Sequence, residues 1–250
     1  MGLWRRTMQY RSCRPDDAEL RARLRALAEQ RRRFGSPRLY VMLRREGWRV
    51  NHKKVDRLYR EEGLSLRRKR GRKRASWARV PLPVPSRTNQ KWSMDFVSDV
   101  LWGGQRYRVL VVVDDCTREC LALEVDSSLN GTRVAQVLDR VIEFRSAPEA
   151  ITVDNGPEFA GKTLDRWAYD KKIKLDFIRP GKPVENAYVE SFNGRLRDEC
   201  LNEQQFNTLA EAREAIETWR LDYNEVRPHT ALGGLSPSQF AGRFPQFTAA

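Results

Sequence analysis

The sequence predicts an α/β protein in which a mixed five-stranded sheet flanked by helices follows a small, basic helical module. Two observations lead to this prediction. Residues 1–90 have a net charge of +19 and contain three short helix patterns with glycines in the breaks. Residues 91–250 have a net charge of −5 and contain three consecutive strand patterns, after which helices and strands alternate.

The composition of the 250-residue chain excludes several classes of protein. It has 47 lysines and arginines against 33 aspartates and glutamates, and its 40% of hydrophobic residues is too many for a disordered tail. No apolar run reaches the about 18 residues of a membrane-spanning helix. Arginines stand near the N-terminus, where a signal peptide needs an apolar stretch. We therefore expect a soluble intracellular chain.

The first module, residues 1–66, is predicted to contain three short helices. Residues 16–33 carry leucines at helical spacing. Ser36 and Pro37 indicate the start of a second helix, because serine caps helices and proline is favoured in the first turn. Asn51 can cap a third. Three helices with tight breaks are typical of a helix-turn-helix-like unit.

The positive charge of this module predicts a nucleic-acid partner, because clustered cations displace the counterions condensed on phosphates. We expect Lys53, Lys54 and Arg57 of the third helix to contact DNA. Residues 67–90 are interpreted as a linker, since residues 67–74 (RRKRGRKR) have no apolar face and the rest is proline-rich.

Five strands are predicted in the second half. Residues 91–100 alternate, so that Trp92 and Met94 share one face while Ser93 and Asp95 share the other. The other strands are predicted at 109–113 and 121–125, which form a hairpin around Asp114-Asp115, and at 150–153 and 173–178.

Helical segments lie between and after these strands. Apolar residues at helical spacing predict an amphipathic helix over 130–144. Further helices are predicted at 163–172, 184–201 and 209–224. We assign residues 91–205 to the α/β core and residues 206–250 to a C-terminal helix and tail that pack on it.

Cysteine chemistry is not expected to contribute. Cys13, Cys116, Cys120 and Cys200 form no C-x-x-C pair, and the chain has only two histidines. Structural zinc needs four clustered ligands. We expect reduced thiols and no zinc site.

Three carboxylates occupy positions that suggest chemistry. Asp95 lies within a strand, Asp154 lies where a strand ends, and Glu190 lies on a helix. Open α/β sheets build their sites at such strand ends, and buried unpaired carboxylates are costly unless cations neutralise them. Oxygen-only ligands without a histidine favour magnesium or manganese.

Other interpretations of these carboxylates stay open on the residues alone. Asp154 could simply form the turn of its Asp-Asn-Gly sequence, and Glu190 could be a solvated helix residue. Three rival carboxylates, Asp99, Asp114 and Asp115, are interpreted mainly as turn residues. Composition and periodicity permit a triad without establishing one.

Several strings extend this interpretation. KWSMDF, TVDNGPEF, RPGKPVENAYVESFNGRLRDECLN and YNEVRPHTAL resemble successive blocks of the catalytic subunit of insertion-sequence transposases, of the OrfB type in the integrase-like DDE superfamily. The preceding string FGSPRLYVMLRREGWRVNHKKVDRLYREEGL resembles the helical module of the same family. The 35 residues between Asp154 and Glu190, and an arginine at 197, fit that family's spacing.

The resemblance implies a ribonuclease-H-like integrase core with Asp95, Asp154 and Glu190 as ligands of two Mg²⁺ or Mn²⁺ ions. It implies hydrolytic 3′ nicking of DNA at the element ends, followed by attack of the new 3′-hydroxyl on target DNA. The same matched blocks suggest further contacts with DNA from Asn155, Lys182, Asn193, Arg195 and Arg197. Tyr223, Asn224, Arg227 and His229 belong to a block to which no role is assigned.

The implied partners are element-end and target DNA, other copies of the chain on that DNA, and a helix-turn-helix protein or fusion encoded by an upstream reading frame. A bacterial cytoplasmic, nucleoid-associated location follows, with no membrane partner. Two alternatives remain: a ribonuclease-H-like nuclease and a non-catalytic DNA-binding regulator of transposition. The basic module and the YNEVRPH string disfavour the first, and an intact acidic triad disfavours the second.

Overall fold

A computed structural model describes residues 17–66, 85–156, 158–179 and 183–244. Two compact units, residues 1–70 and 71–250, make up the chain. The predicted basic segment 67–74, Cys13 and Lys182 lie outside the described residues.

The first unit contains the three predicted helices: α1 (Ala18–Gln30), α2 (Ser36–Arg45) and α3 (His52–Glu61). Their leucines form a shared core in which Leu24, Leu39 and Leu43 are fully buried, as the helical spacing predicts. At the start of α3, the side chain of Asn51 accepts a hydrogen bond from the backbone of Lys53 at 2.9 Å, as expected for an N-cap.

The second unit is built on a five-stranded sheet. Its strands are β1 (Lys91–Val100), β2 (Arg106–Asp114), β3 (Cys120–Asp126), β4 (Ala150–Val153) and β5 (Lys174–Phe177). The order across the sheet is β3-β2-β1-β4-β5, with β1, β2 and β3 antiparallel and with β4 and β5 parallel to β1. The predicted mixed five-stranded sheet is confirmed, with β1 at its centre.

Helices cover both faces of this sheet. On one face, α4 (Gly131–Phe144) and α5 (Lys162–Lys171) share a core with Trp92 and Met94. On the other, α6 (Ala187–Leu196) and α7 (Leu209–Glu225) share a core with Val97. The alternation predicted for β1 therefore separates two hydrophobic cores.

The predicted helix over residues 184–201 is wrong in one respect, because three conformations succeed one another there. A 3₁₀ turn spans Pro183–Asn186, α6 follows, and a π turn spans Arg197–Leu201. After α7 come a short 3₁₀ turn, Thr230–Leu232, and a last helix, α8 (Pro237–Ala241). The π turn buries Cys200 and Leu201 in the second core.

Three smaller observations complete the fold. Asp99 lies within β1, so its interpretation as a turn residue is wrong. Cys116, Cys120 and Cys200 are buried free thiols, as predicted. Within the described ranges, the helices are too short or too polar to cross a membrane.

Candidate active site

Two of the three predicted carboxylates come from neighbouring parallel strands. β4 pairs with β1 so that Thr152 lies beside Ser93, and the same register continued by two residues sets Asp154 level with Asp95. Adjacent strands are about 4.8 Å apart, and side chains two residues apart point to the same face. Asp95 and Asp154 therefore share one face at the point where β4 ends.

The Asp95 carboxylate is held in place by two hydrogen bonds. Its Oδ1 accepts from the backbone N–H of Phe96 at 2.7 Å, and its Oδ2 accepts from Nδ2 of Asn193 at 2.8 Å. Burial raises the pKa of Asp95 to about 6, and the negative charges of Asp154 and Glu190 also raise it. Asp154 and Glu190 are thus both close enough to Asp95 for their charges to act on it.

A tight turn after β4 orients Asp154. Its Oδ1 accepts from the backbone N–H of Gly156 at 3.0 Å, and Nδ2 of Asn155 donates to the carbonyl oxygen of Ile178 at 3.0 Å. A β carbon at Gly156 would lie 2.9 Å from Asp154 Oδ1. The carboxylate therefore occupies the space that any other residue would fill with its side chain.

An ion pair next to this turn was not predicted from the sequence. Glu158 pairs with Arg108 of β2, whose guanidinium lies 4.1 Å above the ring of Phe96, and Phe96 stacks on Phe159 at 4.8 Å. These contacts fix the loop after β4 onto the sheet. The only sequence signal was the Glu-Phe pair in TVDNGPEF, whose partners are distant in the chain.

Glu190 lies on α6, which packs on the sheet face that carries Val97 and is hydrogen-bonded to β1. β4 pairs only with residues 91–93, so later carbonyl groups on that edge of β1 bind side chains instead. Nδ2 of Asn186 donates to the carbonyl oxygen of Met94 at 3.4 Å, and Nη2 of Arg197 donates to that of Ser98 at 2.9 Å. With the bond from Asn193 to Asp95, three side chains join α6 and its flanks to β1.

Glu190 itself is exposed and lies one helical turn before Asn193. Asn193 thus contacts a carboxylate, whereas it was predicted to contact DNA. Arg197 is exposed, but its guanidinium is bound to β1. The DNA contacts of Asn193 and Arg197 stay predictions.

Buried polar atoms surround the base of the site. Oγ1 of Thr152 and the Oδ1 atoms of Asn186 and Asn193 are buried with no hydrogen-bond partner among the described residues. On β1, beside Thr152, Oγ of Ser93 donates to Asp115 at 2.6 Å. Such atoms are normally satisfied by water or by a ligand, so this region is polar enough to hold either.

A metal ion needs both suitable donor atoms and side chains that lie close enough together. The donors are oxygens only, which suits Mg²⁺ or Mn²⁺. Across the described part of the chain, however, the His, Cys, Asp and Glu side chains form no group of three close enough to hold an ion. The charges of Asp154 and Glu190 act on Asp95, but the three side chains do not form a closed ligand cage.

The remaining predicted contacts with DNA are in varied surroundings. Arg195 is half-buried on α6, and it donates to the carbonyl and hydroxyl oxygens of Ser191. In the first unit, Lys53 is exposed, whereas Lys54 pairs with Asp17 and Arg57 pairs with both Asp17 and Glu61. These ion pairs are partly exposed, and phosphates could compete with them.

Comparison with protein families assigns both units. The family described as "Integrase core domain" matches residues 85–183 and, through a second model with the same description, residues 171–237. The family described as "HTH-like domain" matches residues 15–73. The integrase matches contain all three carboxylates of the candidate site.

Individual relatives agree with these families. The chain is 49% identical to "Insertion element IS407 uncharacterized 31.7 kDa protein" of Burkholderia multivorans, over 97% of this chain and 88% of the relative. It is 27% identical to "Transposase InsF for insertion sequence IS3A" of Escherichia coli, over 88% of this chain and 81% of that protein.

Among solved structures, the catalytic core domain of HTLV-2 integrase, in complex with magnesium in a trimeric form, has the same fold. The TM-score is 0.51 at 18% identity, over 62% of this chain and 98% of that one. The second unit thus has the ribonuclease-H-like fold that the resemblance implies, and the HTH-like first unit precedes it. The chain belongs to the insertion-sequence transposases of the integrase-like superfamily, and it is an enzyme that acts on DNA.

Proposed function

We propose that Asp95, Asp154 and Glu190 are the catalytic carboxylates of this transposase and that they hold divalent metal ions at the scissile phosphate of DNA. The observation that supports this assignment is the electrostatic one: the charges of Asp154 and Glu190 both raise the pKa of Asp95. A carboxylate whose ionisation is disfavoured by two neighbouring negative charges is a natural place for a dication, which offsets that repulsion.

The residues fit magnesium or manganese in donor chemistry. Asp95 lies on β1, Asp154 directly follows the adjacent strand β4, and Glu190 is exposed on α6. We propose two ions, which when bound would activate a water or a 3′-hydroxyl and stabilise the departing oxygen. The approach of Glu190 would close the cage that the three side chains do not form by themselves.

The protein's own contribution is orientation. Asn193 and the Phe96 N–H fix the two oxygens of Asp95, and the Gly156 N–H fixes one oxygen of Asp154. Pre-oriented ligands reduce the entropy that must be lost when reactants align in line. On this basis we propose 3′ nicking at the element ends, followed by strand transfer into target DNA.

DNA binding by more than one copy is part of the proposal. The HTLV-2 integrase core that shares the fold was solved in a trimeric form. Two element ends and a target must be held together, and one site per chain can cut one strand at a time. We therefore propose a homo-oligomer on DNA, whose end recognition is aided by a helix-turn-helix partner from an upstream frame.

Asp154→Asn tests the assignment. The substitution keeps the side chain's shape and its acceptor oxygen for Gly156 but removes the negative charge that a cation needs. We expect nicking of element-end DNA to fall by about 10³-fold or more, while DNA binding stays nearly unchanged. Cleavage is measured on labelled duplexes in the presence of magnesium.

The matched control is Asp170→Asn, which removes an exposed carboxylate on α5. This control should nick at the wild-type rate. If Asp154→Asn cleaves as fast as the control, Asp154 has no part in catalysis. If the wild-type chain binds DNA but never cleaves it under any condition with metal, the regulator alternative is favoured.

A further inference from the structure

A buried polar cluster lies at the C-terminal end of α6, outside the candidate active site. Arg227, which follows α7, is 1% exposed. Its guanidinium binds the carboxylate of Glu199 at two points, Nε to Oε2 at 2.7 Å and Nη2 to Oε1 at 2.6 Å. Glu199 belongs to the π turn that continues α6. The cluster thus joins the segment after α7 to the helix that carries Glu190.

His229 completes the cluster. Its Nδ1 lies 2.9 Å from the carbonyl oxygen of Arg227, and its Nε2 lies 3.3 Å from Nη1 of Arg227. A carbonyl oxygen only accepts and a guanidinium only donates, so the ring is neutral, with its proton on Nδ1. His229 therefore takes the guanidinium nitrogen that Glu199 does not bind.

Aromatic packing connects the same cluster to the face of α6. The ring of Tyr223 lies 4.8 Å from that of His229 and 4.8 Å from that of Phe192, which is on α6. Both contacts are edge-to-face, a favourable geometry for aromatic pairs. Any rotation of α6 about its axis would disturb these ring contacts together with the ion pair.

Charge makes Glu199 important in this cluster. A second arginine, Arg195, is close enough that the charge of Arg227, after burial, lowers its pKa. Glu199 supplies negative charge between two cations that would otherwise repel each other across a buried region. The carboxylate therefore holds the end of α6 near the segment after α7.

The π turn is thus held from two directions. Arg197, its first residue, binds the Ser98 carbonyl of β1, and Glu199, two residues later, binds Arg227. A π turn changes the phase of a helix, so the residues that fix it also fix the rotation of the helix before it. On α6, that rotation brings Asn193 to Asp95 and places Glu190 one turn away.

We propose that Arg227 is a positioning residue for the active site, which acts through Glu199 and the π turn to set the rotation of α6. His229 supports it by holding the third guanidinium nitrogen. This inference rests on the proposed function of the three carboxylates. It gives a role to the YNEVRPH string, which the metal site and the DNA contacts leave unassigned.

Arg227→Lys is the variant that tests this role. Removal of the buried charge would take the Arg227 ion pair away from Glu199 and could unfold the chain, whereas lysine keeps the charge. Lysine is a point donor and cannot span both Glu199 oxygens and His229. The matched control is Arg213→Lys, because Arg213 also lies on the α7 side but donates to the Val125 carbonyl of β3.

Two measurements on the full chain are independent of cleavage. The first is the NMR resonance of the Asn193 side-chain amide, which reports its bond to Asp95. The second is the affinity for Mn²⁺, followed by electron paramagnetic resonance. We expect Arg227→Lys to shift the amide resonance and to weaken Mn²⁺ binding about 2- to 30-fold, and Arg213→Lys to change neither.

One outcome would contradict the positioning role of Arg227. If Arg227→Lys lowers the unfolding midpoint but leaves the Asn193 resonance and the Mn²⁺ affinity as in the wild type, Arg227 only stabilises the fold. Should the lysine variant not fold, Glu199→Gln takes its place, since glutamine keeps one acceptor oxygen and the side chain's shape.

Failure of the carboxylate assignment would look different. If Asp154→Asn binds Mn²⁺ as tightly as the wild type, the proposed metal site is wrong whatever Arg227 does. The Asn193 resonance would still decide whether Arg227 sets the rotation of α6.

Discussion

Gly156 is the residue whose replacement by a larger one should most directly disturb Asp154. A β carbon there would lie 2.9 Å from Asp154 Oδ1 and 3.3 Å from Glu158 Oε2, closer than ordinary contacts allow. One carboxylate is a proposed ligand, and the other forms the ion pair with Arg108. Gly156 therefore lets both acidic side chains approach the turn.

We predict that Gly156→Ala lowers the nicking rate about 10- to 100-fold, because it displaces the Asp154 carboxylate by a fraction of an ångström or more. The control is Gly103→Ala, where an added β carbon would meet nothing within 4 Å. Rates are compared on the same labelled element-end duplex. Equal rates for the two variants would mean that the turn tolerates the methyl group and that Asp154 is not held by close packing.

At the residue scale, the sequence indicates which side chains are candidates for the site, but not which groups they contact. Asp95, Asp154 and Glu190 could be singled out by residue type and place in the chain. The partners of Asn193 and Arg197 could not, because both side chains bind β1 about a hundred residues away in sequence. Arg197 binds a backbone carbonyl that β1 leaves free where it extends beyond β4, whereas Asn193 binds the Asp95 carboxylate.

At the scale of the structural element, the turn between β2 and β3 carries a buried acid. Asp115 is 3% exposed and accepts a hydrogen bond from Ser93 of β1, so it fastens the turn to the central strand. Burial raises the pKa of Asp115 to about 7, against the opposing effects of Ser93 and of the positive charge of Arg118. The folded protein thus favours the protonated acid.

This raised pKa predicts how stability depends on pH. An acid whose pKa is about 7 when folded, and about 4 when unfolded, contributes fully below pH 4 and loses that contribution as the pH rises to about 7. We predict that Asp115→Asn is about as stable as the wild type near pH 4. At pH 8 it should be more stable by about 2–4 kcal/mol.

Urea unfolding at several pH values measures this difference. A stability gain that is the same at every pH would show that Asp115 keeps its ordinary pKa in the folded chain. Asp126→Asn is a suitable control, since this carboxylate lies at the more exposed end of β3.

Elements with strong local signals could be predicted well. Asn51 was predicted as an N-cap, and its side chain accepts from Lys53 as a cap does. Asn130 was predicted only as the start of a helix, and its side chain accepts from Arg133 in the same way. The alternation of residues over 91–100 predicted which side chains of β1 face each hydrophobic core. The π turn could not be foreseen, because its anchor, Arg227, is 28 residues from Glu199 in sequence.

At the scale of the whole molecule, the charge of the chain changes sign at about residue 90. The excess of cations lies within residues 1–90, while residues 91–250 have a net negative charge. DNA repels negative charge at long range, so residues 91–250 gain little affinity from their own net charge. We infer that the first 90 residues supply most of the attraction to phosphate.

A chain that lacks residues 1–90 should therefore lose most of its DNA affinity at about 0.15 M salt, and its binding should depend less steeply on salt. Fluorescence anisotropy with a labelled duplex across a salt series measures both quantities. Unchanged affinity at that salt concentration would show that the acidic unit binds DNA through local contacts alone.

The distribution of the three carboxylates along the chain has a consequence for synthesis. Asp95 and Glu190 are separated by nearly a hundred residues, and the contacts that orient α6 come from still later residues, up to His229. A nascent chain that has emerged from the ribosome only as far as β5 already exposes its cationic module. It has neither Glu190 nor the cluster of Arg227 and His229. Such an intermediate could bind DNA before it has all three of the carboxylates that we propose for cleavage.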